Sequence, residues 1–449
     1  MTTALFVLKG KSPMTKKTRK YGSSIKLNLP DRKWPDNRIS SAPVWCSVDL
    51  RDGNQALPAP MGVDEKTGLF RLLCEIGFKE IEVGYPSSSA TEYNFVRNLI
   101  EEDLIPDDMT IQVITQTRPD LIRRTFNALE GAKRAIINFY TPTSPAQREF
   151  VLSKNRKEII EMAVKGAELI RLETERLQDT GIRHLFCPES FSSTEPDFAL
   201  EICESVLDVL EPTVDTKVIL NLPATVEVSM PNVYADLIEW FSRNIKHRDR
   251  VIIGVHTHND RGTAVAATEL ALLAGADRVE GTLFGMGERA GNADLVTLSL
   301  NLFSQGVDPC LDLSNLNRIK GVFERCSGAS VYERHPYAGE LVFANFAGAH
   351  QDAIRKALKT PSGGKSDSWD VPYMLIDPSD IGRSDEHLIR INSQSGKGGI
   401  AFILDRYCNI TLRDDDYAEI RDIIKKISEV SRKEIPPETI QELALAFSS

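Results

Sequence analysis

Between residues 44 and 305 the chain alternates short apolar runs, rich in valine and isoleucine, with polar loops and helix-compatible stretches. Apolar and polar residues hardly alternate within the runs, as expected for parallel strands that are buried on both faces. Eight such runs predict strands at residues 44–49, 80–84, 110–114, 134–139, 182–186, 218–222, 251–255 and 278–283. Helical patterns lie between them, for example at residues 65–76, 155–177, 196–210 and 263–274.

This alternation of eight strands with helices predicts a (β/α)8 TIM barrel. A doubly wound open sheet would show the same alternation, so the count alone leaves that fold open. Beyond Gly306 the strands stop and helical patterns with polar loops continue. We therefore predict an N-terminal extension over residues 1–40, a TIM-barrel catalytic domain over 41–306, and small C-terminal helical subdomains over 307–449 that contribute to the active site.

Composition and charge exclude several classes of protein. Hydrophobic residues make up 41% of the 449 residues and charged residues 26%, which is typical of a soluble globular protein. The net charge of −10 gives no sign of a nucleic-acid partner, and no apolar run approaches the roughly 18 residues that a membrane span needs. The seven scattered cysteines contain no C-x-x-C pair, so we expect free thiols in a reducing compartment.

The first 30 residues are rich in lysine and contain no acidic residue. A basic, acid-free start is compatible with a mitochondrial transit peptide, but arginine is scarce and no amphipathic helix is obvious, so a disordered basic tail is the favoured interpretation. We expect a cytoplasmic protein, with the mitochondrion as the alternative.

Two histidines close the seventh predicted strand, and they are the sharpest chemical signal in the sequence. Side chains at positions i and i+2 of a strand point to the same side, so His256 and His258 should face the barrel mouth together. Asp52, at the end of the first strand, is the obvious carboxylate partner, and Asn292 after the eighth strand offers an amide oxygen. The set predicts a divalent metal site that suits zinc or manganese and, less comfortably, magnesium. A buried Asp52–Arg51 pair and a helix-capping Asn292 are the structural alternatives.

The same two histidines and carboxylate would also suit a non-haem iron oxygenase, although such sites usually occupy β-sandwich folds.

Further candidate site residues also lie at the ends of predicted strands. Arg51 is a fixed cation that can polarise a carbonyl oxygen, and Glu189 is a candidate acid, base or water-positioning group. Thr225 is placed to hydrogen-bond a substrate carboxylate, although glutamate and threonine are common in ordinary loops.

Several long motifs resemble one family. VDLRDGNQAL, KEIEVGYPS, PNVYADLIEW, HTHNDRGTAVAATELALLAGADRVEGTLFG, GERAGN and NSQSGKGG are similar to segments of the 2-isopropylmalate synthases, and the likeness covers about residues 30 to 440. The resemblance implies an acyltransferase that condenses acetyl-CoA with a 2-oxo acid and then hydrolyses the thioester.

The resemblance also implies roles for single residues. The metal ligands match Asp52, His256, His258 and Asn292. Arg51 matches the arginine that steadies the oxo-acid oxygen, Thr225 a contact to the substrate carboxylate, and Glu189 the catalytic glutamate. His350 and Tyr373 match a pair that enters the active site from the subdomain of the partner protomer, so a homodimer is expected.

The chain departs from the family pattern at the predicted acceptor pocket and at its C-terminal end. Asn138 stands where histidine is usual, Cys187 where serine is usual, and Met286 where asparagine is usual, and we expect all three to contact the side chain of the oxo acid. The long form of the family carries a leucine-binding regulatory domain, whereas this sequence stops at Ser449, so leucine feedback through that domain is expected to be absent.

Two substrate hypotheses follow. In the first, the chain is a 2-isopropylmalate synthase of leucine biosynthesis that uses 3-methyl-2-oxobutanoate. In the second, it is a specialised 2-alkylmalate synthase of a secondary-metabolite pathway that takes another acceptor, such as an aromatic pyruvate giving a benzylmalate-type product. A non-catalytic paralogue is a hypothesis of another class, and the intact catalytic set weighs against it. The match at His350 and Tyr373 favours a synthase over a lyase of CoA thioesters.

Overall fold

The protein folds into two compact units. The structure, a computed structural model, describes residues 25, 27–359, 369–383 and 388–448. Backbone contacts assign Met1–Phe70 and Phe78–Leu298 to the first unit, and Arg71–Gly77 and Ser299–Ser449 to the second. The lysine-rich segment that suggested a transit peptide lies almost entirely outside the described residues.

The first unit contains a closed barrel of eight parallel strands. They are β1 Val44–Ser47, β2 Glu80–Gly84, β3 Thr110–Gln116, β4 Arg134–Pro142, β5 Gly181–Glu189, β6 Val218–Ala224, β7 Val251–Thr257 and β8 Arg278–Gly281. Each strand pairs with the next in sequence, and β8 closes the circle on β1 with Val44 opposite Arg278. The TIM-barrel prediction is confirmed, and the open doubly wound sheet is excluded.

Helices alternate with the strands. They are α1 Val63–Ile76, α2 Ala90–Glu101, α3 Pro119–Ala128, α4 Arg156–Arg176, α5 Pro196–Leu210, α6 Pro231–Asn244, α7 Ala264–Leu273 and α8 Leu295–Ser304. Three of them (α3, α5 and α6) begin with proline, whose fixed φ and missing N–H suit the first helical position. The start of α4 is a capping box in which Asn155 and Glu158 satisfy each other's backbone N–H groups.

Seven of the eight strands end at a different residue than predicted: β3, β6 and β7 run two residues further, β4 and β5 three residues further, and β1 and β8 stop earlier. Strands β4 and β5 extend further, because Pro142 pairs with Glu189 and keeps both chains in the sheet. Strands β1 and β8 stop two residues earlier than predicted. The buried carboxylate of Asp49 accepts the Leu283 N–H at 3.0 and 3.1 Å, so both chains leave the sheet together in short helical turns.

The interior of the barrel has an apolar side and an ionic side. Strands β4, β5 and β6 contribute an apolar cluster made of Ile136, Leu185, Cys187 and Ile219. Strands β2, β3 and β8 contribute charged and amide side chains that are almost completely buried, namely Glu80, Glu82, Gln112, Arg278 and Glu280. A buried charge is tolerated only when it is paired, and these five side chains hydrogen-bond one another.

The second unit is helical. Its helices include α9 Leu316–Ser327, α10 Gly348–Lys359, α11 Lys397–Cys408, α12 Asp414–Ser431 and α13 Pro437–Ser448. Helical patterns were predicted beyond Gly306, and three of these five helices lie from Lys397 onward. Helices α10 and α11 start in close contact, since a Cβ on Gly348 would lie 2.6 Å from the backbone nitrogen of Gly396. Among the helices described, none has the length and apolar character that crossing a membrane requires.

Candidate active site

A cavity of about 260 Å³ opens among the carboxyl ends of the barrel strands. Chemistry in this fold is concentrated at that end, on the strand ends and the loops that follow them. The residues that line the cavity include Arg51, Asp52, Asn138, Cys187, Glu189, Asn221, Thr225, His256, His258 and Glu280. Eight of the sequence-predicted site residues from the strand ends therefore meet in one place, namely Arg51, Asp52, Asn138, Cys187, Glu189, Thr225, His256 and His258.

Asp52, His256 and His258 form a buried cluster in the cavity. His256 lies within β7 and His258 follows its last residue, and their ring centroids are 5.1 Å apart. The Asp52 Oδ2 atom lies 3.6 Å from Nε2 of His256 and 3.9 Å from Nε2 of His258. One ligand atom from each of the three residues lies within 4.8 Å of the others, which is compact enough to surround a single cation.

Asn292 adjoins this cluster because the loop after β8 folds back onto β7. A backbone bridge joins His258 to Asn292, and Nδ2 of Asn292 donates to Asp52 at 2.8 Å. The loop needs its glycines: Gly291 has φ +96°, and a Cβ there would lie 1.9 Å from the Gly285 carbonyl oxygen. Within the part of the chain that the structure describes, no group hydrogen-bonds to the buried Oδ1 of Asn292.

Arg51 and Asp52 stand side by side in the helical turn that follows β1, at Asp49–Gly53. Nη1 of Arg51 donates to Asp52 at 2.5 Å, and its Nε donates to Glu82 on β2. The guanidinium is thus clamped between two carboxylates, and the pKa of Arg51 is raised because Glu82 and Asp52 more than offset its burial. The result is a cation with a fixed direction at the edge of the cluster of Asp52, His256 and His258.

The protonation behaviour of the three cluster residues is strongly perturbed. Burial works against an ionised Asp52, but Arg51 and the two histidines hold its pKa well below the usual range. Burial likewise opposes a charged His256, yet hydrogen bonds to Asp52 and Glu280 raise its pKa to about 9. For His258, burial and the adjacent His256 lower the pKa to about 4, so this imidazole is neutral at pH 7.

Glu189 is the last residue of β5 and lines the cavity. Burial raises its pKa, while a hydrogen bond of 3.1 Å from Nε2 of Gln147 acts in the opposite direction. A carboxyl group with a raised pKa beside a cavity is suited to acid–base work near neutral pH.

Thr225 follows β6 directly and lines the same cavity. Its Oγ1 accepts the backbone N–H of Ser190 at 3.0 Å, so that the hydroxyl hydrogen is left to donate. This arrangement suits a donor to an anionic ligand.

The three departures from the family pattern occupy different surroundings. Asn138 and Cys187 line the cavity, on β4 and β5. Nδ2 of Asn138 donates to Glu82 at 3.0 Å, whereas Cys187 packs in the apolar cluster of the barrel, where burial raises the pKa of its thiol far above the usual value. Met286 is not among the cavity-lining residues, and a Cβ built on Gly53 would lie 2.7 Å from its terminal methyl.

His350 and Tyr373 lie in the second unit and are stacked on each other. Their ring centroids are 3.9 Å apart with an interplanar angle of 21°. His350 is on α10, and Tyr373 is 61% exposed in the segment that follows the gap at 360–368. Two residues that are distant in sequence therefore form a local pair, as expected if they act together.

Sequence reasoning missed several residues that support the site. Tyr85 and Tyr140 line the cavity, and burial raises the pKa of Tyr140 to about 12, so it is a neutral hydroxyl there. Glu82 and Glu280 support Arg51 and His256 from the barrel interior. The acids themselves are visible in the sequence, within EIEVG and RVEG, but the sequence does not show which partners they meet.

Known proteins are similar to this chain in sequence over most of its length. The HMGL-like family model matches residues 42–322, and the model for alpha-isopropylmalate synthase, post-catalytic domain-like, matches residues 340–405. The 2-isopropylmalate synthase of Rhodospirillum rubrum is 55% identical over 93% of this chain and 75% of its own length. That of Clostridium acetobutylicum is 53% identical over 94% of this chain and 76% of its own length.

Solved structures show the same barrel at much lower identity. The hydroxymethylglutaryl-CoA lyase from Pseudomonas aeruginosa aligns with a TM-score of 0.52 at 19% identity, covering 65% of this chain and 95% of that one. The HMG-CoA lyase from Brucella melitensis aligns at 0.51 and 16% identity, covering 65% and 100%. These two likenesses concern the fold. The sequence relatives identify the family, and the chain belongs to the 2-isopropylmalate synthase family of acyltransferases.

Proposed function

We propose that the chain condenses acetyl-CoA with 3-methyl-2-oxobutanoate, giving 2-isopropylmalate and free CoA in leucine biosynthesis. The observation that carries the proposal is the buried cluster of Asp52, His256 and His258 with the fixed cation of Arg51 beside it. The relatives described above are named for the same reaction.

The cluster fits a divalent cation. One carboxylate, two imidazoles and the unpartnered Oδ1 of Asn292 form a mixed oxygen and nitrogen set, which suits zinc or manganese better than magnesium. Buried polar atoms without partners are rare, and Nδ1 of His258 is a second one at this site. When bound, the cation would polarise the ketone of the oxo acid and anchor its carboxylate.

The surrounding side chains supply orientation and proton transfer. Arg51 directs its guanidinium at the acceptor oxygen, where negative charge develops as the carbon–carbon bond forms. The hydroxyl of Thr225 donates to the acceptor carboxylate, and Glu189 positions or activates the water that hydrolyses the thioester. The apolar side of the barrel, around Cys187, takes the alkyl group of the oxo acid.

His350 and Tyr373 complete the site from a second protomer in this proposal, which makes the working enzyme a homodimer. Their stacking supports a joint role, with the imidazole taking part in deprotonation of the acetyl methyl group. Subunit complementation tests the idea. His256→Ala and His350→Ala chains, each inactive alone, should regain about a quarter of wild-type activity when co-expressed, because half of the dimers are mixed and each has one intact site. No recovery in verified mixed dimers would contradict sharing of the site.

The specialised-pathway hypothesis receives no support from the relatives described above, all of which are named 2-isopropylmalate synthase. Steady-state assays with acetyl-CoA and a panel of 2-oxo acids, following free CoA, test the choice of acceptor. We expect the highest kcat/KM with 3-methyl-2-oxobutanoate. A clear preference for an aromatic pyruvate would refute this part of the proposal. The relatives are bacterial, which favours the cytoplasm over the mitochondrion, and cell fractionation tests that.

Loss of CoA release tests whether the chain is catalytic at all. His256→Ala and Arg51→Ala should abolish release while the fold, followed by circular dichroism, is retained. His247→Ala is the matched control, because His247 is exposed on the loop before β7 and outside the cavity. Full activity in both cavity variants would overturn the site, and absence of activity in the wild type with every oxo acid would favour the non-catalytic paralogue.

A further inference from the structure

Glu280, in the middle of β8, is a fully buried carboxylate with no role in the chemistry proposed above. Its Oε2 atom lies 3.0 Å from Nδ1 of His256 and accepts from Nδ2 of Asn221 at 2.8 Å. Its Oε1 atom accepts from Nη1 of Arg278 at 2.7 Å and from Nε2 of Gln112 at 2.9 Å. Four neighbours thus converge on a single carboxylate beneath the metal cluster.

The neighbours determine what this carboxylate presents to His256. A guanidinium can only donate, and the Gln112 amide is oriented by its Oε1, which accepts from Nη2 of Arg278 at 2.7 Å. Glu280 is therefore an acceptor on all sides, and Nδ1 of His256 must carry a hydrogen. Nε2 of His256 is then the nitrogen left for a metal, and it is the one that faces Asp52 at 3.6 Å.

We propose that Glu280 is a positioning residue, which fixes the ring orientation and the tautomer of His256 so that Nε2 binds the divalent cation. The inference rests on the metal site of the proposed function. A ligating histidine commonly donates its other ring nitrogen to a carboxylate, and the loss of such a partner weakens metal binding. Here the partner is itself immobilised by Arg278, Asn221 and Gln112.

Asp52, the second proposed metal ligand, is held by the same network. The amide nitrogen of Gln112 donates to Glu280 and also to Oε1 of Glu82 at 2.9 Å. Glu82 in turn accepts from Arg51, which donates to Asp52. One amide on β3 therefore connects the support of His256 to the support of Asp52, and the two ligands are held at a fixed separation from below.

Metal affinity, measured by competition with a chromophoric chelator for Zn²⁺ and Mn²⁺, tests the role of Glu280. Glu280→Gln keeps the volume and should weaken binding about 10- to 100-fold. Glu80→Gln is the matched control, because Glu80 is a similarly buried carboxylate that accepts from Arg278 at 2.6 Å and, in the described structure, does not hydrogen-bond His256. The metal affinity of Glu80→Gln should stay within about threefold of wild type, because only Glu280→Gln changes the carboxylate that contacts His256.

The outcomes separate the two levels of the proposal. Equal losses in Glu280→Gln and Glu80→Gln, or no loss in Glu280→Gln, would overturn the positioning role. Unchanged affinity in His256→Ala would overturn the metal site itself. If Glu280→Gln does not fold, ¹⁵N NMR of the zinc-loaded wild type decides: we expect His256 protonated at Nδ1 and metal-bound at Nε2. The reverse arrangement would refute the inference.

Discussion

Arg278 provides the sharpest test of the ionic barrel interior. Its side chain is fully buried, and it donates to Glu80 at 2.6 Å, to Glu280 at 2.7 Å and to Gln112 at 2.7 Å. Arg278→Met keeps much of the length but removes the cation, which leaves two buried carboxylates short of a partner. Breaking a buried ion pair from one side costs about 3–5 kcal/mol, and we expect a loss of that size in the free energy of unfolding.

Arg183→Met is the matched control. Arg183 also pairs with Glu80, but its side chain is 36% exposed, so solvent already screens the interaction. A pair of that kind contributes about 0.2–1 kcal/mol. Urea unfolding followed by tryptophan fluorescence compares the two variants, with buried Trp45 on β1 as a reporter in the barrel. Similar losses in both variants would refute the conclusion that burial, and not pairing alone, makes Arg278 important.

The effect of Arg278→Met should also depend on pH. Burial opposes ionisation of Glu80 and Glu280, but the charge of Arg278 holds the pKa of both carboxyl groups below the usual value. A lowered pKa in the folded state stabilises the protein above the unfolded pKa of about 4.3, and this stabilisation is lost as the pH falls further. The difference in the free energy of unfolding between wild type and Arg278→Met should therefore become smaller below about pH 4.3. A difference that grows as the pH falls would contradict the conclusion that Arg278 lowers the pKa of both carboxyl groups.

Three further predictions concern single side chains around the cavity. Glu189→Gln should lower kcat about 10²- to 10⁴-fold in the CoA-release assay, and an unchanged kcat would remove Glu189 from proton transfer. Thr225→Val should raise KM for the oxo acid about 10- to 100-fold with little change in kcat, because a hydrogen bond to a charged group contributes about 1.5–3 kcal/mol; a normal KM would refute the contact. Iodoacetamide at pH 8 should alkylate exposed Cys310 well before Cys187, whose pKa burial raises, and peptide mass mapping would show the reverse if the Cys187 thiol were reactive.

The barrel was largely readable from the sequence. Strands that are buried on both faces produce continuous apolar runs, and the count of eight such runs was correct. The predicted strand ends were less accurate, because the polarity of a residue does not show whether it still pairs in the sheet. Glu189 resembles a loop residue but pairs in register with Pro142, and Asp49 resembles a strand residue but turns the chain out of the sheet by binding Leu283.

The candidate site was readable only in part. The i, i+2 spacing is sufficient to place His256 and His258 together, because the strand geometry fixes their common direction. The position of Asn292 depends on a loop with glycines at positive φ, and the place of Met286 beside Gly53 depends on the same loop. The ionic interior was invisible to pattern reasoning, because isolated acids within strands do not reveal which partners they meet across a closed barrel.

The ionic interior has a consequence for how the acceptor preference can evolve or be redesigned. Cys187 and Asn138 both line the cavity, but only Asn138 is bonded into the network, through Glu82. A new side chain at position 187 alters the shape of the cavity in which we propose that the oxo acid binds, and it leaves the arginine clamp intact. A new side chain at position 138 removes one of the hydrogen-bond donors of Glu82, the buried carboxylate that steers Arg51, so a compensating change on β2 is favoured. Directed evolution toward new acceptors should therefore accumulate single substitutions at 187 and linked pairs at 82 and 138.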